Sequence, residues 1–197
     1  MTYIAEFFAM MLTAVFIENI IFTRALGTSW VIFLLRHPKD LAKYTSFLAI
    51  IITAAGLIGY PLRGLTQNSE YAYVLTPMLY IGCMALVYVA AYFILKKFAP
   101  AEFEKSEKNL GAAVFNCAVL GSLLIPAGDR IDLIGTIGYG LGMSLGFGIA
   151  VILIAFGMER ISFCRVPKAF KGLPVLLIYL GLLSLAFYGL SGHLLPN

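Results

Sequence analysis

Residues 133–158 read LIGTIGYGLGMSLGFGIAVILIAFGM and contain no charged side chain. A transmembrane helix needs about 20 consecutive apolar residues, so this segment is long enough to cross a bilayer. It lacks the strict apolar/polar alternation of a barrel strand, which leaves the helix as the spanning structure. Its glycines include small-residue spacings that allow helices to pack closely. They are Gly135, Gly138, Gly140, Gly142, Gly146 and Gly148.

Five more apolar segments accompany this one. The six segments together cover residues 3–22, 41–60, 74–95, 110–125, 133–158 and 173–190. The chain is 61% hydrophobic and 12% charged, whereas a soluble domain carries roughly 25% charged residues. These patterns predict an all-α integral membrane protein with six transmembrane helices, which form a single membrane domain over residues 1–197. The first segment carries Glu6 and Glu18 and lacks a basic start, so we expect it to be a retained helix and not a cleaved signal.

The basic residues predict the orientation in the membrane. All but two of the 14 Lys and Arg residues fall in or beside the loops that join segments one and two, three and four, and five and six. Basic residues accumulate in cytoplasmic loops, so both termini are expected outside, in the plasma membrane of a bacterium or archaeon. Only Arg63 and Arg130 lie on the opposite side. This distribution accounts for the net charge of +4 without a nucleic-acid partner, and membrane lipid is the expected surrounding.

Two halves of three segments each have opposite polarity in the membrane, as in inverted-repeat membrane proteins. We place repeat one at residues 1–98 and repeat two at residues 109–193. Both halves contain an Asn inside an apolar run that is followed by Leu-Gly. These are Asn19 before Leu26-Gly27 and Asn116 before Leu120-Gly121.

Asn116 and Cys117 are predicted to lie deep in the fourth segment. An amide in hydrocarbon costs several kcal/mol unless it has hydrogen-bond partners. With Gly121 and Pro126 following, the helix is expected to break within the membrane and to expose backbone groups to a ligand or partner. The alternative is structural, with Asn116 bonded to a neighbouring helix and Cys117 acting as a small buried hydrophobe.

Glu18 and Asn19 form a second polar group inside a predicted span. An ionisable residue in a transmembrane segment is a functional-site hypothesis by default. Glu18 could relay a proton, bind a cation or pair with Arg24 at the cytoplasmic end of the helix. Together with Asn19 it is a candidate ion or polar site near the midplane.

The sequence resembles the A subunit of the Rnf electron-transport complex, in a family that includes the E subunit of the sodium-pumping NADH:quinone reductase. The resemblance covers nearly the whole chain and is more specific in the second half. It rests on the first-helix motif from Asn19 to Gly27, on Asn-Cys-Ala-Val-Leu-Gly at 116–121, on the glycine run at 138–148, on Glu-Arg-Ile at 159–161, on Val-Pro-Lys-Ala-Phe-Lys-Gly at 166–172 and on the final helix at 183–192.

The resemblance implies two inverted helix triplets and a partner within a larger redox complex, which is a related six-helix subunit of opposite topology. It also implies a 2Fe–2S cluster shared between the two subunits, each of which supplies two cysteines. Cys117 matches the second cysteine, with Asn116 and Gly121 in the same motif. The first motif of the family reads Leu-Gly-x-Cys-Pro, whereas this chain has Ser29 at the cysteine position and Trp30 after it.

Three functions follow as hypotheses. The first is a membrane subunit of a redox-driven, ion-translocating electron transport complex that passes electrons across the bilayer and is not catalytic alone. The second is a small-solute or ion transporter with Glu18, Asn19 and Asn116 at its midplane site. The third is a scaffold subunit that keeps the fold and lacks the cofactor, as the serine at position 29 suggests.

The predicted topology can be tested by labelling single cysteines. Cysteines introduced at Lys105 and at Asn197, in a cysteine-free background, should react with a membrane-impermeant thiol reagent from opposite faces, because an odd number of spans separates them. Labelling of both positions from the same side would exclude six spans.

Overall fold

In a computed structural model, all regular elements of the described residues are helical. The described residues are 2–67, 70–98, 111, 114–125 and 131–190. The α-helices are α1 (Thr2–Leu12), α2 (Thr28–Arg36), α3 (Leu41–Gln67), α4 (Ala72–Phe98), α5 (Cys117–Leu124), α6 (Leu133–Ser162) and α7 (Leu173–Leu190). A π-helical segment, Thr13–Ile17, extends α1, and short 3-10 turns cover Pro38–Asp40 and Lys168–Phe170. The predicted all-α class is confirmed for this part of the chain.

Within the described residues, three helices are long and apolar enough to cross a membrane: Pro38–Leu62, Ala72–Phe98 and Leu133–Ser162. Tyr3–Ile17 and Leu173–Gly189 are shorter apolar helices. A multi-pass membrane protein follows from these lengths and compositions. The count of six spans and the inverted repeat stay predictions. Lys105, Lys108, Pro126, Arg130 and Asn197, which entered those predictions, lie outside the described residues.

Helix α6 lies at the centre of the packing, with α1 on one side and α3 on another. On the α1 side, added Cβ atoms at Gly138 and Gly142 would overlap the carbonyl oxygens of Phe7 and Met11. A Cβ at Gly146 would lie 3.2 Å from the Cα atom of Val15. Glycine is therefore required where the two helix backbones touch, which confirms the predicted use of the glycine run in close packing.

These contacts also fix the helix directions. Residue numbers rise together along α1 and α6, so these two helices run parallel. On the other side, Gly148 faces Thr45 and Gly140 faces Thr53, so α3 runs antiparallel to α6. The same relations follow from the predicted topology, in which segments one and five cross in one direction and segment two crosses in the other.

One boundary prediction was wrong. The first apolar segment was expected to be helical to residue 22, but the helix ends at Ile17 because Asn19 binds the next backbone amides itself. Between the first two segments the chain also forms α2, and α3 begins at Leu41, where the second segment was predicted to begin. Apolar residues at Val31 and Leu34, both buried, hold α2 against the rest of the protein.

Gly142 provides a test of the α1–α6 contact. Gly142→Ala should destabilise the protein by about 1–3 kcal/mol, since overpacking a close backbone contact forces the helices apart. Gly181→Ala in α7 is the matched control, because an added Cβ there meets no atom within 4 Å. Thermal unfolding in detergent micelles measures both variants, and equal midpoints for the two would contradict the close approach.

Candidate functional site

The first helix breaks at Asn19, which is completely buried. The Asn19 Oδ1 atom accepts the backbone N–H groups of Ile21 and Phe22 at 3.1 and 3.3 Å. Its Nδ2 atom donates to the carbonyl oxygens of Val15 and Gly146, each at 3.0 Å. One side chain thus satisfies backbone groups on both sides of the break and connects the break to α6, as a buried amide requires.

The chain re-enters a helix through Gly27, which has a left-handed backbone with φ of 79°. A Cβ atom at this position would lie only 3.0 Å from the Cβ of Ala118 and 3.1 Å from the ring of Phe147. Both the positive φ and the lack of space favour glycine here. Gly27 therefore brings the backbone of the first break against the beginning of α5.

The second break lies at Asn116, which is the N-cap of α5 with an extended backbone. The Asn116 Oδ1 atom accepts the N–H of Ala118 at 3.2 Å, and its Nδ2 donates to the Tyr44 hydroxyl at 2.7 Å. The fourth segment was expected to break within the membrane, with Gly121 and Pro126 following Cys117. The observed break lies at Asn116, because an asparagine that caps the next amides starts a helix. Gly121 lies inside α5 against Leu26, and Pro126 lies outside the described residues.

The two breaks meet at Cys117. The backbone N–H of Gly27 donates to the Cys117 Sγ atom at 3.2 Å, and this thiol donates to Asn116 Oδ1 at 3.4 Å. Asn19 and Asn116 are 0% and 6% exposed. Both amides therefore face the protein interior, and the segment that follows the first helix contacts the beginning of α5.

Cys117 and Ser29 are both exposed, although the polar groups around them are buried. Cys117 is the first residue of α5, and Ser29 lies in the first turn of α2, two residues after Gly27. The site therefore presents a thiol at the protein surface, where a second molecule can reach it. Cys83 is buried and Cys164 is exposed on a different segment, and neither takes part.

Aromatic side chains pack beside this site. Trp30 stacks on Tyr44 with ring centroids 4.9 Å apart and an interplanar angle of 17°. Tyr44 also lies 5.5 Å from Phe147, so α2, α3 and α6 share one aromatic contact. Tyr44 does not stand out in the sequence, since a tyrosine near the start of an apolar helix belongs to no recognisable motif.

Glu18 lies at the C-cap of the π-helical segment and is half-buried. The Tyr139 hydroxyl donates to Glu18 Oε2 at 2.7 Å. The pairing with Arg24, one of the three roles considered for Glu18, is not formed. Tyr139 was missed in the sequence because it belongs to the glycine run and matches no motif for a polar site.

Within the described ranges, no three His, Cys, Asp or Glu side chains lie together as a metal-binding group. The site of this chain can offer one thiolate, from Cys117, to a metal centre. Any iron–sulfur centre held there would need further ligands from another chain, because such clusters are usually bound by four thiolates.

A family profile described as Rnf-Nqr subunit, membrane protein, matches residues 7–194. The chain belongs to the Rnf-Nqr family. The resemblance inferred from the motifs is thereby confirmed.

Among the relatives is the A subunit of the Na(+)-translocating ferredoxin:NAD(+) oxidoreductase complex of Acetobacterium woodii, which is 29% identical over 182 residues, 92% of this chain and 95% of the relative. The A subunit of the ion-translocating oxidoreductase complex of Pasteurella multocida is 27% identical over 95% of this chain and 97% of the relative. The corresponding protein of Azoarcus sp. is 40% identical over 99 residues, about half of each chain.

The capping role of Asn116 can be tested by three substitutions. Asn116→Ala should lower stability by about 1–3 kcal/mol, because it removes the cap of α5 and leaves the buried Tyr44 hydroxyl without its partner. Asn116→Ser keeps a capping oxygen, and Tyr44→Phe removes only the hydroxyl, so each should cost less than Asn116→Ala. Reversible unfolding in detergent measures all three. A neutral Asn116→Ala variant would contradict the assigned hydrogen bonds.

Proposed function

We propose that this protein is a membrane subunit of an Rnf-type, ion-translocating electron transport complex. It passes electrons across the bilayer between a cytoplasmic donor and an outward-facing partner, and it is not catalytic alone. The observation that carries this proposal is the exposed Cys117 thiol at the meeting point of two helix breaks. Family membership and the names of the relatives, which are subunits of ion-translocating oxidoreductase complexes, give the redox function its support.

Cys117 is the proposed ligand of this chain to a 2Fe–2S cluster shared with a partner. The exposed thiol at the start of α5 fits one position of such a shared site. Ser29 offers a hydroxyl oxygen where the family pattern has the other cysteine, and an oxygen is a harder ligand than a thiolate. When bound, the cluster supplies one-electron chemistry at membrane depth.

A hydrogen-bond donor and a helix dipole at the site favour the binding of a negatively charged group. The Gly27 N–H already donates to the Cys117 sulfur, and hydrogen bonds to sulfur are one means by which a protein tunes such a centre. The N-terminal end of α5 carries the positive end of the helix dipole, which favours an anionic group. Asn116 fixes the direction of both features because it caps α5 and binds α3.

A partner follows from the ligand count and from exposure. One chain supplies one thiolate, so the remaining ligands belong to another chain. We propose a related six-helix subunit of opposite topology, among other subunits of the complex, in a plasma membrane with both termini of this chain outside. Two breaks that use the same residue type, Asn19 in the first half and Asn116 in the second, support the inverted repeat that such pairing needs.

A cofactor-free scaffold is the second candidate, and Ser29 is the observation in its favour. A midplane solute site made of Asn19 and Asn116 has less support. The amide atoms of both residues are engaged in hydrogen bonds with their own chain, which leaves little for a transported solute.

Cys117→Ala tests the redox proposal. In the purified complex with its native partners, this change should abolish the iron content assigned to the shared site and the low-temperature paramagnetic signal. Helix packing should change little, because the thiol is exposed. Cys164→Ala is the matched control, as it removes another exposed thiol away from the site, and it should leave iron and signal unchanged.

Ser29→Cys is the complementary variant. Restoring the thiolate at the family position should retain or strengthen the iron signal if a cluster is bound. A wild-type complex without iron at this site, or full electron transfer by Cys117→Ala, would reject the redox proposal and favour the scaffold.

A further inference from the structure

The end of the π-helical segment leaves main-chain oxygen atoms without their helical partners. In a continuing α-helix, the N–H groups of Ile21 and Phe22 would bond to the carbonyls of Ile17 and Glu18. Both N–H groups instead donate to Asn19 Oδ1. The carbonyls of Ile17 and Glu18 therefore lack these helical donors, and both belong to the end of the helix that carries the Glu18 carboxylate.

The Glu18 carboxylate has no basic partner within 4 Å in the described part of the chain. It is half-buried and follows the apolar helix Tyr3–Ile17, which places it about 22 Å along that helix at 1.5 Å per residue. If the helix begins at one edge of the ~30 Å hydrocarbon core of a bilayer, that length places Glu18 inside the core. A charged carboxylate at such depth is costly, and membrane proteins neutralise it with a partner or a bound cation.

Tyr139 holds the carboxylate in place. Its ring is buried, at 3% exposure, and its hydroxyl binds Glu18 Oε2 at 2.7 Å. This bond occupies one position on one oxygen, while a carboxylate has about four lone-pair sites. A buried donor that fixes one oxygen and leaves the other available resembles the outer hydrogen bonds that orient carboxylate ligands at metal sites.

We propose that Glu18, together with the carbonyls of Ile17 and Glu18, binds a small monovalent cation oriented by Tyr139. This inference rests on the proposed function, in which the cation is the one whose movement is coupled to electron transfer. The C-terminal end of a helical segment carries the negative end of its dipole and free carbonyls, which are the groups that coordinate Na⁺ or H⁺ at discontinuous membrane helices.

The charge and ligand types select the class of cation. All the candidate ligands are oxygen atoms, which suit hard cations. A divalent ion such as Ca²⁺ takes 6–8 oxygen ligands, commonly several carboxylates, whereas the described residues place no second acidic side chain in a group with Glu18. One carboxylate and a few neutral oxygens balance a single positive charge, as Na⁺ or a hydrated proton would supply.

The test uses the purified complex in proteoliposomes. Uptake of ²²Na⁺ and of protons, the latter followed with a pH-sensitive dye, is measured during electron transfer as Na⁺ is varied against choline. Glu18→Gln keeps the side-chain size and an oxygen that accepts the Tyr139 hydrogen bond, but it removes the charge. The matched control is Glu6→Gln on the same helix, whose carboxylate lies against Gly135.

Glu18→Gln should abolish uptake of whichever of the two cations the wild type transports, and Glu6→Gln should leave that uptake unchanged. Tyr139→Phe keeps the carboxylate and should weaken the apparent cation affinity by on the order of 10-fold, the effect typical of removing an orienting hydrogen bond. The iron content and paramagnetic signal should be the same in all these variants. If Glu18→Gln takes up Na⁺ and protons at the same rates as the wild type, the cation site is rejected and the redox proposal is unaffected.

A direct binding measurement distinguishes Na⁺ from the proton as the bound cation. Line broadening of ²³Na in nuclear magnetic resonance, titrated in the presence of the complex, should be reduced by Glu18→Gln but not by Glu6→Gln if the cation is Na⁺. If proton uptake is the activity lost instead, the cation is the proton. A complex without iron that still shows Glu18-dependent cation binding would reject the redox proposal alone.

Discussion

A bilayer core contains no water to bind free backbone groups, so each interruption of a membrane helix must be satisfied from within the protein. Two asparagines meet this requirement. At the first break, Asn19 binds two backbone N–H groups and two carbonyl oxygens. At the second break, Asn116 caps α5 and donates to the Tyr44 hydroxyl. The backbone can then turn inside the protein without unbonded amides, and the thiol of Cys117 lies where the two turns meet.

The breaks can meet because α6 lets its neighbours come close. Glycines on one side of α6 accept the backbone of α1, and glycines on another side accept threonines of α3. Asn19 bonds directly to the carbonyl of Gly146, so the first break is positioned by the same helix that organises the core. The packing of the helices and the position of Asn19 thus both depend on the glycine-rich helix α6.

The sequence predicted the helical class and the use of the glycines in close packing, because apolar length and small-residue spacing are local properties. The cost of an unbonded amide also predicted that the two asparagines need hydrogen-bond partners, which both have. The sequence did not predict that the first helix ends at Ile17 or that α5 begins at Cys117. Each boundary depends on which amides an asparagine side chain binds, and the residue type alone does not determine that. Tyr139 and Tyr44 were missed for a related reason. The role of each hydroxyl depends on a hydrogen-bond partner that is 121 or 72 residues away in the sequence.

We propose that the two breaks place Cys117 at a surface shared with a neighbouring protein of the complex. High-resolution electron cryomicroscopy of the native complex in lipid nanodiscs tests this placement most directly. We expect Gly27 and Cys117 to be in contact within the bilayer, and we expect density for a metal centre to join the Cys117 sulfur to a neighbouring membrane protein. The claim would be contradicted by a map in which Cys117 faces lipid, with no other chain beside it and no contact to Gly27.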